Sequence, residues 1–581
     1  MDFNLKKHRE DLVFLPLGGA NEIGMNLNLY HLDGKWIMVD CGVGFAYNIP
    51  GIDIMTPDIS FIKNHSKNLL GLIITHIHED HLGAVQYLIK ELNCPVYTST
   101  LAANFLKLKL AEFKLERQVD IRIIDNSKRL DLNPFNIEFI GLTHSVPEMK
   151  ALMIRTKKGN ILHTGDWKFD PNPVVGEISQ KEKIKEYGDK GEILAVVCDS
   201  TNALNEGHSR SEGELYESIK SLIENRRGLV GVTTFASNLA RIKTITQIAK
   251  DCKRKVVLAG WSLHRICEAA RKSGYFFDET DFISDREIKF YDKKDILIIA
   301  TGCQGEELAA TKKIASDKHP FIRFTKGDLM IFSSKIIPGN ERNIFALFDL
   351  FAKRQIDVMT EKDHFVHVSG HPSQDELREM YALSKPKIAI PVHGEFIHTK
   401  AHGEIAKECG VEKILQAQNG LVLKICQENP KANSQSIGFV KSGYLGVDGY
   451  QLIDLNNHVI SERRKLENSG IATVSIVVNE SLELLTKPRI ICVGSYDLKS
   501  DHEAEIFIRE EIKAILKIKA RDLGIDSKIG FRFLKKKKSN KKLKENRIIE
   551  DLEKNIRSKI LRIFEDIIGK RPAVEVSIHL V

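Results

Sequence analysis

Short apolar runs alternate with polar turns through the first 200 residues of the chain. Several of these runs are too short for helices and are bounded by glycine, aspartate or asparagine, which is typical of strands. They lie at 13–17, 35–41, 70–75, 137–142, 151–156, 160–164 and 193–198. Amphipathic patterns at 81–92 and 101–113 predict helices between them. We therefore expect a layered α/β arrangement in which helices pack on sheets.

From about residue 211 to residue 354 the pattern changes to longer helices separated by short apolar strands. The predicted helices include 212–225 and 239–251, and the predicted strands are 229–233, 256–259, 296–301 and 328–332. This alternation indicates a separate parallel α/β unit. Strand-like runs resume at 364–368 and 388–392, each next to histidine-bearing segments. The first domain is thus interrupted and completed later.

Beyond residue 447 the composition shifts through a polar stretch that contains Glu462-Arg463-Arg464-Lys465. Apolar runs at 471–478 and 490–493 and an alternating run at 573–580 predict strands, and amphipathic patterns at 501–523 and 548–568 predict helices. This is the pattern of a small α+β domain. The expected divisions of the chain are 1–208, 209–358 (inserted), 359–447 (completing part), 448–470 (linker) and 471–581 (C-terminal domain).

Bulk composition excludes several classes of protein. A chain of 581 residues is too long to fold around a single hydrophobic core. Its composition, with 42% hydrophobic and 28% charged residues, is ordinary for a globular protein. No apolar run reaches the length of a membrane helix, and the start lacks the pattern of a secretory signal, so we expect a cytoplasmic enzyme with no membrane partner. Nine cysteines without a CxxC pair argue against disulfides and cysteine-bound zinc.

The net charge of +8 is mild for this length, but basic residues are concentrated from Lys535 to Lys544, where the sequence reads KKKKSNKKLK. Such a run attracts polyanions such as RNA. A solvated loop between two elements is the alternative interpretation.

The clearest chemical signal lies in Thr75-His76-Ile77-His78-Glu79-Asp80-His81. In the pattern His76-x-His78-x-Asp80-His81, three imidazoles and the Asp80 carboxylate lie directly after an apolar strand and before a helix. A strand fixes where such a loop begins and a helix where it ends, so the loop can direct several ligands to one point. Borderline cations such as Zn(II) favour this mixture of nitrogen and oxygen ligands. The loop therefore predicts a metal site.

This loop resembles the HxHxDH signature of the metallo-β-lactamase superfamily. The resemblance implies further ligands at His144, which follows a strand-like run, at Asp166 in His-Thr-Gly-Asp, and at His393 in Pro-Val-His-Gly-Glu. It implies that His76, His78 and His144 hold one metal ion, that Asp80, His81 and His393 hold a second, and that Asp166 bridges them. Two such ions share a water, lower its pKa and neutralise charge on a phosphate.

Asp40 ends the run Trp36-Ile37-Met38-Val39-Asp40, before Cys41-Gly42. We expect its carboxylate to accept a hydrogen bond that orients a ligand histidine. A turn-capping role is the alternative, because aspartate near glycine is common in turns.

The metal loop alone also fits glyoxalases, lactamases and other hydrolases. The inserted domain, together with Cys198-Asp199-Ser200-Thr201, His367-Val368-Ser369-Gly370-His371 and the motif at His393, resembles the β-CASP nucleases. The opening Pro16-Leu17-Gly18-Gly19-Ala20-Asn21-Glu22-Ile23-Gly24-Met25-Asn26 and the internal Thr301-Gly302-Cys303-Gln304-Gly305-Glu306 are similar to a bacterial ribonuclease family within that group. The resemblance implies a metallo-β-lactamase αββα sandwich interrupted by an inserted β-CASP α/β domain, followed by the small C-terminal α+β domain.

The same resemblance assigns catalytic roles. His371 would protonate the departing 3′ oxygen, Asp199 would hold its protonated form, and Asp80 completes the catalytic set. A buried, hydrogen-bonded histidine without a catalytic role is the alternative for His371.

Phosphate recognition needs hydrogen-bond donors near the metal site. The resemblance places them in His367, Ser369, Gly370 and His371, and in Thr234, Ser237 and Asn238 at a helix start, where backbone amides point outward. These residues would grip the 5′ monophosphate or a nearby phosphate. Ordinary helix caps are the alternative.

The expected function is metal-dependent hydrolysis of RNA phosphodiesters in RNA maturation and decay. The resemblance implies 5′-to-3′ exonuclease action favouring 5′-monophosphate ends, endonuclease action on single-stranded RNA, and a homodimer or homotetramer, with RNA-decay or ribosome-associated proteins as further partners. Two divalent ions are expected, Zn(II) first and Mn(II) second.

Three positions depart from the family pattern, and none is an expected metal ligand. Cys303 stands where serine is expected, Trp261 where arginine is common, and Pro372 where a small residue is usual. The rivals are a β-CASP nuclease specific for DNA or tRNA precursors and a non-catalytic RNA-binding scaffold.

Overall fold

The structure is a computed structural model that describes residues 2–46, 48–125, 127–275, 282–525 and 541–581, without the side chains of 541–545. The chain forms two compact units, Met1–Phe45 with Ile54–Leu445 and Ala46–Asp53 with Gly446–Val581. The basic run from Lys535 to Lys544 lies outside the described side chains, so its role stays a prediction. No helix in the described ranges is long and apolar enough to cross a membrane.

Two mixed sheets of the first unit pack face to face. The eight strands of one sheet are, in spatial order, Gln435–Phe439, Leu421–Ile425, Leu12–Gly18, Leu27–Leu32, Lys35–Val39, Leu69–Ile73, Val96–Thr98 and Ile121–Ile123. The seven strands of the other are Lys413–Ile414, Ile388–Val392, Ile193–Asp199, Asn160–His163, Lys150–Arg155, Phe135–Gly141 and Leu130–Leu132. Side chains from both sheets, such as Phe14, Ile37, Ile137 and Ile390, share one buried core.

Helices accompany both sheets and complete the αββα sandwich. The outer face of the seven-stranded sheet is covered by apolar side chains of Lys181–Asp189, Gln374–Ser384 and Phe396–Glu408. The remaining helices of this domain are Ser60–Lys63, Glu79–Leu82, Val85–Leu92, Thr100–Glu112 and Pro430–Asn433, with a 3-10 turn at Ser66–Asn68. A short hairpin pairs Gly44–Phe45 with Ile54–Pro57.

The inserted domain contains a sheet of six parallel strands. In spatial order they are Phe282–Ile283, Lys255–Ala259, Ile296–Ala300, Val230–Thr233, Leu329–Phe332 and Asp357–Met359. Its helices are Leu215–Ile223, Leu239–Asp251, Trp261–Lys272, Ala310–Ala315 and Glu341–Lys353, with 3-10 turns at Glu212–Glu214, Asp285–Phe290 and Lys293–Asp295. The central strands are continuous apolar runs, because helices cover both faces of a parallel sheet.

A buried ion pair fastens the start of the inserted domain to its second helix. Arg241 is fully buried, and its Nε and Nη2 donate to the Glu212 carboxylate at 2.6 and 3.0 Å. Its Nη1 also donates to the Ser333 and Val366 carbonyl oxygens. One cation therefore joins four segments that are distant in sequence.

Glu138 provides a second charged network, on the strand Phe135–Gly141. Its carboxylate accepts a hydrogen bond from the Tyr187 hydroxyl at 2.6 Å and pairs with the Lys183 ammonium at 2.7 Å. Burial acts to raise the pKa of Glu138, but Lys183 and Tyr187 outweigh it and lower that pKa to about 2.

The second unit has a three-stranded sheet in the order Arg489–Val493, Ile471–Val478, Ala573–Leu580. Helices His502–Asp522 and Lys541–Ile568 pack their apolar side chains against it. The stretch 448–470, expected to be a linker, contains the strand Gln451–Asp454 and the helix His458–Ser469, and the strand Tyr444–Asp448 runs into it.

The expected fold class is confirmed, and two local predictions are wrong. The segment 364–368 is irregular rather than a strand, because the Val366 carbonyl accepts bonds from the Arg241 guanidinium and the Ser333 hydroxyl instead of from a neighbouring strand. The predicted helix 81–92 is two helices, separated where the Ala84 amide donates to the Cys41 carbonyl.

Candidate metal centre and phosphodiester site

The metal loop lies between the strand Leu69–Ile73 and the helix Glu79–Leu82. The backbone holds it against the segment after the strand Lys35–Val39, since the Cys41 amide donates to the His81 carbonyl at 2.7 Å. Gly42 permits this approach, because a Cβ there would lie 1.7 Å from the Asp80 carbonyl oxygen. The packing fixes the direction of the ligand side chains.

Seven predicted ligand residues converge in two overlapping groups. One group is His76, His78, His144 and Asp166, and the other is Asp80, His81, Asp166 and His393. Within each group the donor atoms all lie within 4.8 Å of one another. Asp166 belongs to both groups, which is the position expected of a bridging carboxylate.

The residues fit a pair of divalent cations. His76 Nε2 and Asp166 Oδ1 are buried and have no hydrogen-bond partner within the described part of the chain. His144 Nε2 and His78 Nδ1 face each other at 3.1 Å, which places two metal-binding nitrogens side by side. Buried polar atoms are normally satisfied, so unpaired nitrogen and oxygen atoms directed to one point indicate a ligand.

Burial also keeps three of the imidazoles neutral. It lowers the pKa of His76 and His144 well below the ordinary value and that of His78 to about 4, against the opposing effect of nearby carboxylates. A neutral imidazole presents a lone pair to a cation, so these histidines need not lose a proton when a metal binds.

Each ligand histidine is oriented through its second ring nitrogen. His81 Nδ1 lies 2.7 Å from Asp40 Oδ2, and Asp40 also accepts from the Thr75 amide at 2.8 Å. His144 Nδ1 lies 2.6 Å from the Gly370 carbonyl oxygen. Such partners fix the tautomer and the ring orientation of a ligand. In this position the Asp40 carboxylate can orient the His81 ring.

Thr201 links the metal group to the acidic motif. Its hydroxyl lies 2.7 Å from His393 Nδ1 and 2.7 Å from Asp199 Oδ1. The single hydroxyl proton goes to the carboxylate, so the oxygen accepts the His393 Nδ1 proton and leaves Nε2 free to bind a cation. The sequence motif contained Thr201, but only the fold places it between these two residues.

His371 and Asp199 form a pair beside the bridging carboxylate. His371 Nδ1 lies 2.8 Å from Asp199 Oδ2 and 3.8 Å from Asp166 Oδ2. Burial opposes protonation, but Asp199 and Asp166 outweigh it and raise the pKa of His371 above its ordinary value. The two carboxylates therefore favour the protonated form of this imidazole, which is the form that can donate a proton.

The expected phosphate-binding residues divide into two sets. Ser369 Oγ accepts from the Asn202 amide at 2.7 Å and from the His371 amide at 3.3 Å, so its own proton remains to be donated. Gly370 lies against His144, where a Cβ would approach the imidazole Cε1 to 2.7 Å. His367 Nδ1 is buried without a hydrogen-bond partner among the described residues.

The second set, at the start of the helix Leu239–Asp251, is mostly engaged. The Asn238 side chain accepts from the Arg241 amide at 2.9 Å as a helix cap, and the Thr234 hydroxyl donates to the Ser333 carbonyl. For Ser237 no side-chain hydrogen bond to another described residue exists. The Ala240 amide donates to the Ser145 carbonyl, and Ser145 Oγ lies 3.3 Å from His78 Nε2, so this helix start adjoins the metal centre.

Fold and site together define a hydrolase of the metallo-β-lactamase type with an inserted β-CASP domain. Residues 26–178 match the metallo-beta-lactamase superfamily, residues 227–351 match the ribonuclease J beta-CASP domain, and residues 355–415 match the Zn-dependent metallo-hydrolase RNA specificity domain. A crystal structure of a protein of unknown function from Enterococcus faecalis V583 covers 71% of this chain and 100% of its own with a TM-score of 0.52 and 14% identity, which supports the fold alone.

Curated relatives narrow the class. Ribonuclease J of Sinorhizobium meliloti is 40% identical over 85% of this chain and 88% of its own, and Bacillus subtilis ribonuclease J2 is 33% identical over 88% and 92%. Helicobacter pylori ribonuclease J is 32% identical over 86% of this chain and 73% of its own. The chain belongs to the ribonuclease J family. It is a metal-dependent ribonuclease with a site for divalent cations, and RNA is its substrate.

Proposed function

We propose that the chain removes nucleotides from 5′-monophosphorylated ends of single-stranded RNA in the 5′-to-3′ direction and also cuts such RNA internally, in RNA maturation and decay. The observation that carries this proposal is the His371–Asp199 pair, 2.8 Å apart, beside the groups of metal-binding atoms. A protonated imidazole at that position supplies the acid that a departing ribose 3′ oxygen needs.

The proposed roles follow from the contacts. His76, His78 and His144 would hold one ion, Asp80, His81 and His393 would hold the other, and Asp166 belongs to both groups of residues. When bound, the two ions activate a water and neutralise the charge that develops on the phosphate. Asp40 orients His81, and Thr201 orients His393. His371 donates its Nε2 proton to the leaving oxygen, while Asp199 stabilises the imidazolium through Nδ1.

Zinc is the proposed physiological metal, with manganese as the second candidate. Nitrogen and oxygen donors bind both cations, but six imidazoles and carboxylates arranged around a shared aspartate suit the borderline ion first. Metal analysis of the purified chain, followed by reconstitution with each metal separately, tests the order. Higher turnover with manganese would reverse it.

Recognition of the 5′ end is assigned to the segment that precedes His371. The Ser369 proton is free to be donated, and Gly370 lies against His144, where only a residue without a side chain fits. A 5′ monophosphate bound here would place the first phosphodiester beside the metal groups. Ser237 supplies the remaining hydroxyl from the start of its helix, whereas Thr234 and Asn238 contribute indirectly by fixing that segment.

A degradation assay tests both modes of action. One RNA sequence is prepared with a 5′ triphosphate, a 5′ monophosphate and as a circle, and each form is digested with zinc and with manganese. We expect the monophosphate to be degraded fastest and the circle to be opened by internal cleavage. Equal rates on triphosphate and monophosphate would refute the end-sensing role.

Ser369→Ala isolates the contribution of the end pocket. Loss of one hydrogen bond to a charged phosphate weakens binding by about 2 kcal/mol, roughly 30-fold in kcat/KM for the monophosphate form. The circular RNA serves as the matched control, because it has no end to recognise. A similar loss on both substrates would mean that Ser369 supports the fold or the metal site instead.

Different measurements test the two rival functions, a β-CASP nuclease with another substrate and a non-catalytic RNA-binding scaffold. Parallel digestion of single-stranded RNA and DNA of one sequence tests a DNase, and equal or greater DNA cleavage would favour that activity. A precursor tRNA digested beside an unstructured RNA tests tRNA-precursor specificity. Substoichiometric metal, with RNA turnover that His76→Ala leaves unchanged and that therefore comes from a contaminating nuclease, would favour the scaffold.

We further propose that residues 471–581 mediate self-association into a dimer or tetramer. The edge strand Arg489–Val493 leaves Ile491 and Val493 43% and 62% exposed, and the helix His502–Asp522 exposes Ile506 and Phe507. Apolar side chains at an uncovered edge favour association. Light scattering of the Val493→Asp variant tests this, and an unchanged assembly would contradict it.

The family also supports a cytoplasmic location and contacts with RNA-decay or ribosome-associated proteins, because RNA is matured and degraded there. The boundaries 1–208, 209–358, 359–447, 448–470 and 471–581 stand as the proposed division of the chain.

A further inference from the structure

Trp261 differs from the other tryptophans of the chain. Trp36 and Trp167 are fully buried, whereas Trp261 is 71% exposed. Its indole has no hydrogen bond or ring contact with any other residue that the structure describes. An exposed indole forfeits the burial that normally stabilises a large aromatic side chain, and its flat face stays open to a ligand.

The backbone holds Trp261 in a defined place. It is the first residue of the helix Trp261–Lys272, directly after the strand Lys255–Ala259 and Gly260. A Cβ on Gly260 would lie 2.3 Å from Thr301 Oγ1, and the Thr301 amide donates to the Ala259 carbonyl. The glycine thus fixes the start of the helix against the next strand.

That place is on the edge of the inserted sheet that adjoins the metal centre. The strand before Trp261 lies two positions from Val230–Thr233 in the sheet, roughly 10 Å away at the usual strand spacing. The helix that follows Val230–Thr233 donates from the Ala240 amide to the Ser145 carbonyl, and Ser145 Oγ lies 3.3 Å from His78 Nε2. Ligands of parallel α/β sheets bind at this carboxyl edge.

The ring also lies along the seam between the two α/β domains. Arg265, one turn after Trp261 on the same helix face, donates to the Glu112 carboxylate of the helix Thr100–Glu112 at 2.6 Å. Farther along, the Asn104 amide donates to the Ser273 hydroxyl. Trp261 therefore stands at the N-terminal end of its helix, one turn before the residue that joins the two helices.

We propose that Trp261 stacks on a base of the single-stranded RNA substrate, a few nucleotides from the scissile bond. The inference rests on the proposed function. Every base has a flat π face, so stacking holds RNA without reading its sequence. An unpaired base is also required, so the indole selects single strands over duplexes, whose bases are already stacked.

Fluorescence provides a direct readout, because Trp261 is the exposed one of three tryptophans. An oligoribonucleotide is titrated into the full-length, zinc-loaded chain carrying His371→Ala, which slows turnover. We expect RNA binding to quench the fluorescence of the exposed indole. The same chain carrying Trp261→Phe as well should show no such quenching. A series of oligonucleotides is then titrated, each with one abasic residue at a different position. Only the oligonucleotide that lacks the stacked base should fail to quench the fluorescence.

Steady-state kinetics give the second readout. Trp261→Ala should raise the KM for single-stranded RNA about tenfold, and Trp261→Phe, which keeps a flat ring, should raise it much less. Hydrolysis of bis-p-nitrophenyl phosphate, which carries no nucleobase, should be unchanged in both variants.

These experiments distinguish failure of the stacking proposal from failure of the proposed function. If the unmodified chain degrades RNA, and Trp261→Ala has an unchanged KM with no base-dependent quenching, the stacking proposal is overturned while the proposed function stands. If the unmodified chain hydrolyses bis-p-nitrophenyl phosphate but not single-stranded RNA, the proposed function fails and the stacking role fails with it.

Discussion

Asp199→Asn tests the proposed proton donor most directly. The substitution keeps the shape of a side chain that is almost fully buried and removes the negative charge 2.8 Å from His371 Nδ1. Two unit charges about 4 Å apart interact by ~4 kcal/mol at an effective dielectric constant of about 20. Because the His371 side chain is 21% exposed and Asp166 remains 3.8 Å away, we expect about half of that, ~2 kcal/mol, to be lost.

A loss of ~2 kcal/mol lowers the pKa of His371 by roughly 1.5 units. The acid form of His371 is the active one, so turnover falls as the pH rises through that pKa. The alkaline limb of the pH–rate profile should therefore move to lower pH by about the same amount, and turnover in the neutral range should fall by up to about 30-fold. Single-turnover cleavage of labelled RNA across the pH range measures both effects.

Two controls accompany this experiment. Asp170→Asn changes another buried carboxylate, one that accepts hydrogen bonds from Ser211 and the Glu212 amide, so it should affect stability without moving the pH–rate profile. Metal content must stay the same in Asp199→Asn, because lost metal would mean that Asp199 supports the cation sites, directly or through Thr201 and His393. An unshifted alkaline limb with unchanged turnover would refute the assignment of His371 as the acid.

Three further perturbations probe the support of the site and the fold. Thr201→Val removes the acceptor of the His393 Nδ1 proton, and metal titration should show affinity lower by about 10- to 100-fold. Glu212→Gln leaves Arg241 buried beside a neutral partner and should lower the free energy of unfolding by about 3 kcal/mol, seen as a lower urea midpoint. Because the pKa of Glu138 is lower in the folded chain, its carboxylate stabilises the fold above its unfolded-state pKa. This stabilisation is lost as the pH falls from about 4.5 to about 2. Glu138→Gln should therefore flatten that part of the curve of thermal stability against pH.

Each of these expectations has a clear contrary result. Unchanged metal affinity in Thr201→Val would mean that the backbone alone orients His393. Equal urea midpoints before and after Glu212→Gln would show that the Arg241 charge finds enough partners in backbone carbonyls. If the stability of Glu138→Gln still falls as steeply at acid pH, other carboxylates cause the acid unfolding.

Local sequence determined the elements and the core of the chemistry. Strands at 471–478 and 573–580 coincide with Ile471–Val478 and Ala573–Leu580, because alternating side chains record which face of a sheet is buried. The ligands of the metal loop are close in sequence, so their spacing alone indicated a metal site. The distant ligands followed from family resemblance to short motifs.

Tertiary structure decided the contacts between residues far apart in the chain. The Gly370 carbonyl opposite His144, Thr201 between His393 and Asp199, and the Arg241 guanidinium at Val366 each depend on how separate elements pack. The last contact also turned the apolar run at 364–368 into an irregular segment, since its backbone found side-chain partners. Local patterns record burial and backbone preference, whereas these partners are set by the three-dimensional arrangement of the whole unit.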